Sequence, residues 1–375
     1  MSKIFQLINS IQLGGAEIVA FNLAEFCKSD SGNEFEFVVV ELHQTKEKYS
    51  VQKKRELLSK NIRIISLSKR SKRFSLLIGP LLLAYYLMKE KPDIVHSHTD
   101  LPDFVLSNTM RIFSFLNIKT PKIVRTIHNT ELWSTHSKIG KYTEKTFLND
   151  RIVAVSEAAL NSYNKSRLKY SQPTSEYQQI IYNGCVIPKR KEHPFKIDAD
   201  KINIAFCGRF ENQKGIDVLI ERIEVLNKKF REVFIFHIIG SGTYLHEVLH
   251  LAKRYANVLV YDAEPNVADK LYAFDFLIMP SRFEGLALMS IEASFSKVPL
   301  IAAFAPGLTE TYPNDWPLKF HLENEEELLN IFEKISKHEY DLETLKNQVY
   351  LFVKQKFSHK GMIDAYSKLY LEINE

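Results

Sequence analysis

Short runs of β-branched and apolar residues alternate with stretches whose apolar positions recur at helical spacing. In the first half the spacing predicts strands over 4–8, 36–42, 63–67, 93–98, 123–128 and 152–155. Helix-like segments over 16–28, 76–89 and 157–168 lie between them. From residue 202 a second series predicts strands over 202–207, 234–239, 258–261, 276–279 and 300–303. Helices are predicted over 216–229, 244–255, 266–273, 287–296, 325–337, 342–357 and 359–373. Such alternation predicts parallel sheets covered by helices on both faces. Between the series, residues 188–200 hold prolines, many charges and few apolar side chains, and read as a linker. The expected fold class is α/β: two doubly wound Rossmann-like domains, 1–187 and 201–356, facing a central cleft. In such sheets ligands bind outside the carboxyl ends of the strands, so the strand-to-helix turns become the candidate sites.

Composition narrows the class. With 45% hydrophobic and 25% charged residues, the chain of 375 residues has ample apolar surface to bury and is not disordered. Three scattered cysteines (Cys27, Cys185, Cys207) point to reduced thiols in the core and a cytoplasmic location. The start reads as a first strand rather than a signal sequence. The longest apolar stretch, 74–88, contains Gly79 and Pro80 and is too short to span a bilayer.

Charge is uneven. The net charge is +5, made of +9 over residues 1–187 and −4 over the rest. Between Lys46 and Arg73 stand eleven basic and two acidic residues, and the apolar 74–88 segment follows directly. That combination suits an anionic membrane surface, at about 1 kcal/mol per cation near the lipid. It equally suits a solvated helix face followed by a buried helix. No nucleic-acid-binding motif accompanies it, and no nucleic acid partner is expected.

Several turns can carry chemistry. Gly14-Gly15 opens the first helix, where free N–H groups attract an anion. Gly208-Arg209 follows the first strand of the second series, and Lys214 precedes its helix, a fork and a point charge suited to a diphosphate. Gly240 sits in another strand-to-helix turn. Glu284-Gly285-Leu286-Ala287 precedes a helix in which Glu292 lies about one and a half turns from the start, flanked by Ile291 and Ala293. A carboxylate on an apolar face accepts hydrogen bonds from something, and ribose hydroxyls would serve. Two arrangements point elsewhere without completing a site. Asp198-Ala199-Asp200 falls in the linker, and His96 and His98 share a strand face with no third zinc ligand in view. His96 reads as a packed histidine.

Taken together, these stretches resemble the family 4 retaining glycosyltransferases of the GT-B fold. The resemblance rests on the early GGAE turn, DIVHSH (93–98), TIHN (126–129), VAVSE (153–157), IYNG (181–184), GRFENQKGIDVLI (208–220), IIGSGTYL (238–245), PSRFEGLALMSIEA (280–293) and FSHKGMIDAYSKLY (357–370). The spacing from Glu284 to Glu292, with Arg209 and Lys214 upstream, is its most specific part. At residues 303–310 the chain has Pro306-Gly307 where relatives more usually have a double glycine.

The resemblance implies roles residue by residue. Arg209 and Lys214 would grip the donor diphosphate, Glu292 the ribose, and Glu284 the transferred sugar. The N–H groups of Gly285, Leu286 and Ala287 would line sugar and phosphate, with Gly208 and Gly240 in adjacent turns and Val267 near the base. Gly15 would approach the diphosphate, and His128 would reach the donor sugar. Gly14 and His98 would lie on the acceptor side, and the last helix, 357–375, would pack back on the first domain. No metal or other cofactor is expected. The implied activity is retaining transfer of a hexose-type sugar from a nucleotide-diphosphate donor to a hydroxyl of a glycan. UDP-sugar is favoured and GDP-sugar is possible. The acceptor would be lipid-linked, in bacterial surface polysaccharide or glycolipid synthesis, with the enzyme peripheral on the inner face of the cell membrane. A soluble transferase acting on a small metabolite or protein remains open, as does a non-catalytic scaffold of the same fold.

Overall fold

The computed structural model describes residues 2–12, 14–27, 35–69, 72–134, 136–148, 150–264 and 266–374. Arg70 of the basic stretch and Lys28 at the end of the first predicted helix lie outside these residues. The chain divides into two compact units, 1–184 with 359–375, and 185–358.

In the first unit seven strands form one parallel sheet: β1 (Ser2–Ile8), β2 (Phe35–Glu41), β3 (Arg63–Ser66), β4 (Ile94–His98), β5 (Lys122–Ile127), β6 (Arg151–Ala154) and β7 (Gln178–Ile180). Their order is β3-β2-β1-β4-β5-β6-β7. The helices between them are α1 (Gly15–Asn22), which runs on into a π-helical turn over Leu23–Cys27, α2 (Lys48–Ser59), α3 (Lys72–Glu90), α4 (Asp100–Phe115), α5 (Ser137–Glu144) and α6 (Glu157–Lys169). The order of strands reverses between β1 and β4, which makes their carboxyl ends the natural ligand position. Helix α3 continues through Pro80. It packs closely on α4 at Gly79, where a Cβ would stand 3.3 Å from Val105.

The second unit repeats the plan with β8 (Ile202–Arg209), β9 (Phe234–Ser241), β10 (Val258–Tyr261), β11 (Phe276–Met279), β12 (Leu300–Ala303) and β13 (Lys319–Phe320), ordered β10-β9-β8-β11-β12-β13. Its helices are α7 (Ile216–Phe230), α8 (Leu245–Arg254), α9 (Leu288–Phe295), α10 (Glu325–Ser336) and α11 (Leu342–Lys356). The 266–273 segment is a 3-10 helix over Val267–Ala273 rather than an α-helix. Residues 188–200 contain no helix or strand, yet they are fastened to this unit. Lys189 and Lys191 donate backbone N–H groups to Asp269 (2.7 Å to Oδ1, 3.0 Å to the carbonyl), and Phe195 enters the core. In the same segment Asp198 Oδ1 accepts from the Asp200 N–H at 3.0 Å, closing a local turn.

The last helix, α12 (His359–Asn374), belongs to the first unit. Met362, Ile363, Tyr366, Leu369, Tyr370 and Ile373 share one apolar core with β1, β2 and α1. The opposite sheet face is covered by α3 and α4. Among the described residues no helix is long and apolar enough to cross a membrane.

Candidate active site

In the second unit the candidate residues gather where the strand order reverses. Arg209 ends β8, and the loop after β11 carries Ser281 and Glu284. Arg209 is exposed and its guanidinium donates to Gln213 Oε1 at 3.0 Å, with no carboxylate partner among the described residues. Lys214 differs. Its Nζ lies 2.7 and 2.9 Å from the two oxygens of buried Glu284, and Ser281 Oγ donates to the same carboxylate at 2.7 Å. The two residues expected to serve phosphate and sugar separately thus form one ion pair. An ammonium has three donors, so at least one N–H of Lys214 is left for an anion. Gly215, in the left-handed region (φ +67°), lets the turn after Lys214 pass within van der Waals distance of the Pro280 carbonyl, where a Cβ would clash at 1.8 Å.

The loop before α9 is held by the 306–307 turn. Glu284 N–H donates to Pro306 O (2.9 Å) and Ala287 N–H to Gly307 O (3.3 Å). The Ala287 N–H is therefore engaged within the protein, contrary to the expectation that it lines the ligand. The Leu286 N–H has no partner among the described residues. Gly307 has a positive φ (+72°) in this bracing turn, where a Cβ would meet the Glu284 carbonyl at 2.1 Å. Glu292 lies a little over one turn inside α9, because the helix starts at Leu288. Its carboxylate makes no hydrogen bond or ion pair among the described residues. Burial pushes its pKa up to about 7, and the nearby charge of Asp269 adds to the rise. A half-enclosed carboxyl with no donor of its own has the capacity to accept hydrogen bonds from hydroxyl groups. Gly208 and Gly240 are the next-to-last residues of β8 and β9 rather than members of the turns after them, and Val267 opens the 3-10 helix. Gly240 has a structural duty, since a Cβ there would meet the Gly208 carbonyl at 1.9 Å.

In the first unit Gly14 precedes and Gly15 opens α1, with no side chain capping the helix. Glu17 lies buried in that first turn, and burial raises its pKa. His98 ends β4, and His128 follows β5 directly. His98 Nδ1 is 3.0 Å from His128 Nε2, and His98 Nε2 is 2.7 Å from Gln6 Oε1. His98 is buried with both nitrogens engaged, so it stands behind His128 rather than offering itself to an acceptor as expected. His128 keeps Nδ1 accessible and unpartnered among the described residues. Desolvation pushes its pKa down to about 3, so the ring is neutral. His96 is a packed residue bonded on both sides, 2.6 Å from Tyr370 Oη and 2.6 Å from Thr126 Oγ1.

Beneath this edge lies a charge cluster that no sequence motif announces. Arg125 donates to Asp103 (2.7 and 3.0 Å), Glu144 (2.6 and 3.1 Å) and Asp150 (3.3 Å), and Arg167 donates to Glu144 (3.1 Å). All five are buried.

Known proteins are similar to this chain in sequence and fold. Residues 13–184 match the family model described as Glycosyltransferase Family 4, and residues 201–336 that described as Glycosyl transferases group 1. An uncharacterized 41.2 kDa protein in the cps region of Klebsiella pneumoniae is 28% identical over 376 residues, covering 95% of this chain and 96% of its own. The O-antigen biosynthesis glycosyltransferase WclY of Escherichia coli is 26% identical over 299 residues, covering 74% and 78%. Among solved structures, Anabaena Alr3699/HepE in complex with UDP-glucose superposes with a TM-score of 0.77 at 16% identity, over 99% of this chain and 100% of that one. The lipopolysaccharide outer core galactosyltransferase WaaB gives 0.69 at 15% identity, over 99% of both. At such identities the structural likeness speaks for the fold, and the two family matches together take in most of the sequence. The chain is a glycosyltransferase of GT-B fold and belongs to glycosyltransferase family 4.

Proposed function

We propose that the protein transfers a sugar, with retention of anomeric configuration, from a UDP-sugar to a hydroxyl of a lipid-linked glycan in surface polysaccharide synthesis. The observation that carries the donor half is the grouping of unpaired Arg209, the Lys214–Glu284 pair and the empty Glu292 carboxylate around one switch point. Arg209 and the free N–H of Lys214 would hold the diphosphate, Glu292 the ribose and Glu284 the transferred sugar. His128 and the Gly14-Gly15 turn would serve the same reaction from the first unit. As the anomeric C–O bond breaks, negative charge grows on the leaving phosphate, and fixed cations stabilise it. Attack on the same face, with a leaving phosphate oxygen taking the acceptor proton, completes the transfer without a protein nucleophile. In this reading the cations do the work a metal would do. The Anabaena neighbour crystallised with UDP-glucose and the capsule-region and O-antigen relatives support the donor and pathway class.

A thermal-shift panel of UDP, GDP, ADP, CMP and dTDP, with EDTA and with Mg²⁺, tests the donor. UDP is expected to shift the midpoint by several degrees in EDTA, since a ligand at 100 times its Kd stabilises by about 2.7 kcal/mol. A shift by GDP alone replaces the donor, and a shift that needs Mg²⁺ refutes metal-free binding.

The lipid side rests on α3. Leu77 and Leu81 are 77% and 63% exposed, and Tyr85 and Met88 continue the same strip. The basic stretch before it is weaker than its count implies, because Lys53 and Lys60 pair with Glu25, Lys54 with Glu41 and Arg63 with Glu90. Lys46, Lys48, Arg55, Lys69, Lys72 and Arg73 have no carboxylate partner among the described residues. Flotation with anionic vesicles should recover the protein at low salt and lose it in Leu77→Ser/Leu81→Ser. Failure to float at physiological salt favours a soluble acceptor.

A further inference from the structure

Three histidines of the first unit, His96, His98 and His128, belong to one unbranched hydrogen-bonded chain that starts in α12 and ends at His128. Tyr366 Oη is 3.1 Å from Thr126 Oγ1, which is 2.6 Å from His96 Nε2. His96 Nδ1 is 2.6 Å from Tyr370 Oη, which is 3.0 Å from the Gln6 amide nitrogen. The amide oxygen is 2.7 Å from His98 Nε2, and His98 Nδ1 is 3.0 Å from His128 Nε2. Every member except His128 is buried. Desolvation pushes all three imidazoles toward the neutral form.

A neutral imidazole donates at one nitrogen and accepts at the other, so the three rings cannot choose their tautomers independently. The protons run along the chain in one of two directions. The Gln6 amide allows both, because a half-turn exchanges its oxygen and nitrogen and leaves its neighbours in place. With the oxygen facing His98, every ring carries its proton on Nε2, and His96 donates into Thr126. One of the two hydroxyl protons of Thr126 and Tyr366 then has no acceptor, since Tyr366 has Thr126 as its one hydrogen-bond partner among the described residues. With the amide turned, Tyr366 donates to Thr126, Thr126 to His96, His96 to Tyr370, Tyr370 to Gln6, Gln6 to His98 and His98 to His128. Every hydrogen along this path then has an acceptor. A buried donor left unpaired loses its full desolvation free energy, which selects the second direction.

We propose that Tyr366, Thr126, His96, Tyr370, Gln6 and His98 are positioning residues that fix His128 in the tautomer protonated on Nδ1, so that it presents an N–H donor to an oxygen of the bound sugar or phosphate. The tautomer itself follows from the hydrogen bonds, whereas its use on a sugar rests on the role assigned to His128 above. The chain also gives α12 a duty beyond packing: two of its tyrosines supply the hydroxyls that set the direction.

Nitrogen-15 spectra of the unliganded protein, labelled at histidine and assigned by loss of signals in His128→Asn, read the tautomer directly. Wild-type His128 is expected to carry its proton on Nδ1. Tyr370→Phe keeps the ring and cuts the chain, freeing the Gln6 amide to turn, so both His128 tautomers are expected. Turnover should then fall about twofold, in proportion to the competent fraction. An Nε2-protonated His128 in the wild type, or an unchanged tautomer in Tyr370→Phe, overturns the proposal. The transfer role is tested apart from it. A His128→Ala enzyme with undiminished turnover would remove that role and leave the tautomer result standing.

Discussion

At the carboxyl edge of the first sheet, polar side chains are spent on one another. His98 has both nitrogens bonded, His96 likewise, and Arg125 sits among three carboxylates. At the same edge of the second sheet Lys214 and Glu284 pair, while among the described residues Arg209 has no counter-ion and Glu292 has no donor. The two sheets share their winding, so the contrast comes from what is docked on each. Helix α12 and the α4–α5 pair cover the first edge with hydroxyls and carboxylates. The second edge carries loops that brace one another largely through backbone bonds and leave the Arg209 and Glu292 charges without a carboxylate or donor partner among the described residues. Equal topology therefore gives one edge whose polar groups are mostly paired within the protein and another with an exposed, carboxylate-free arginine among the described residues.

The largest effect expected from breaking this contrast lies in the buried cluster. Arg125→Ala leaves Asp103, Glu144 and Asp150 facing one another without their shared cation, and should destabilise the first unit by about 3–5 kcal/mol. Urea titration followed by hydrogen exchange of the first-unit amides measures it. A loss under 1 kcal/mol would mean that the carboxylates simply protonate. Next, Arg209→Ala should lower kcat by about 10²- to 10³-fold, the scale for removing a fixed group opposite developing charge. Lys214→Ala should cost as much and also strand Glu284. Steady-state sugar transfer reads both, and unchanged turnover withdraws the diphosphate role from the residue concerned.

The smallest effect is the most diagnostic. Burial holds the Glu292 pKa at about 7, above its unfolded value. Its contribution to stability is thus full below the unfolded pKa and is lost as pH rises through about 7, a change of order 1–3 kcal/mol. Nucleotide affinity should move the other way, because the ionised carboxylate is the better acceptor for ribose hydroxyls. Glu292→Gln should flatten both profiles between pH 5 and 8. A Gln variant that keeps the wild-type slope in UDP affinity would place the titrating group elsewhere.

The strand-to-helix alternation and the strand ends, turns and helix start that bear Gly14, Arg209, Glu284 and Glu292 were legible because backbone period and strand-end chemistry are local properties. So was the family, through motif spacing. Three features were not. The Lys214–Glu284 pair joins residues 70 apart in sequence, and the Gln6–Tyr370 bond joins residues 364 apart. The Arg125 cluster draws on four separate elements and looks, residue by residue, like ordinary surface charge.

Sequence by itself determined the class of fold, the order of its elements and the identity of the groups at the strand ends, since these follow from side-chain period and short-range turn geometry. Tertiary structure alone decided which of those groups are free. Whether a lysine is a lone cation or half of an ion pair, and whether a histidine faces solvent or stands behind another, depends on what packs within about 3 Å of it. Partners hundreds of residues away supply that neighbourhood, and with it the desolvation and hydrogen bonds that set charge and tautomer.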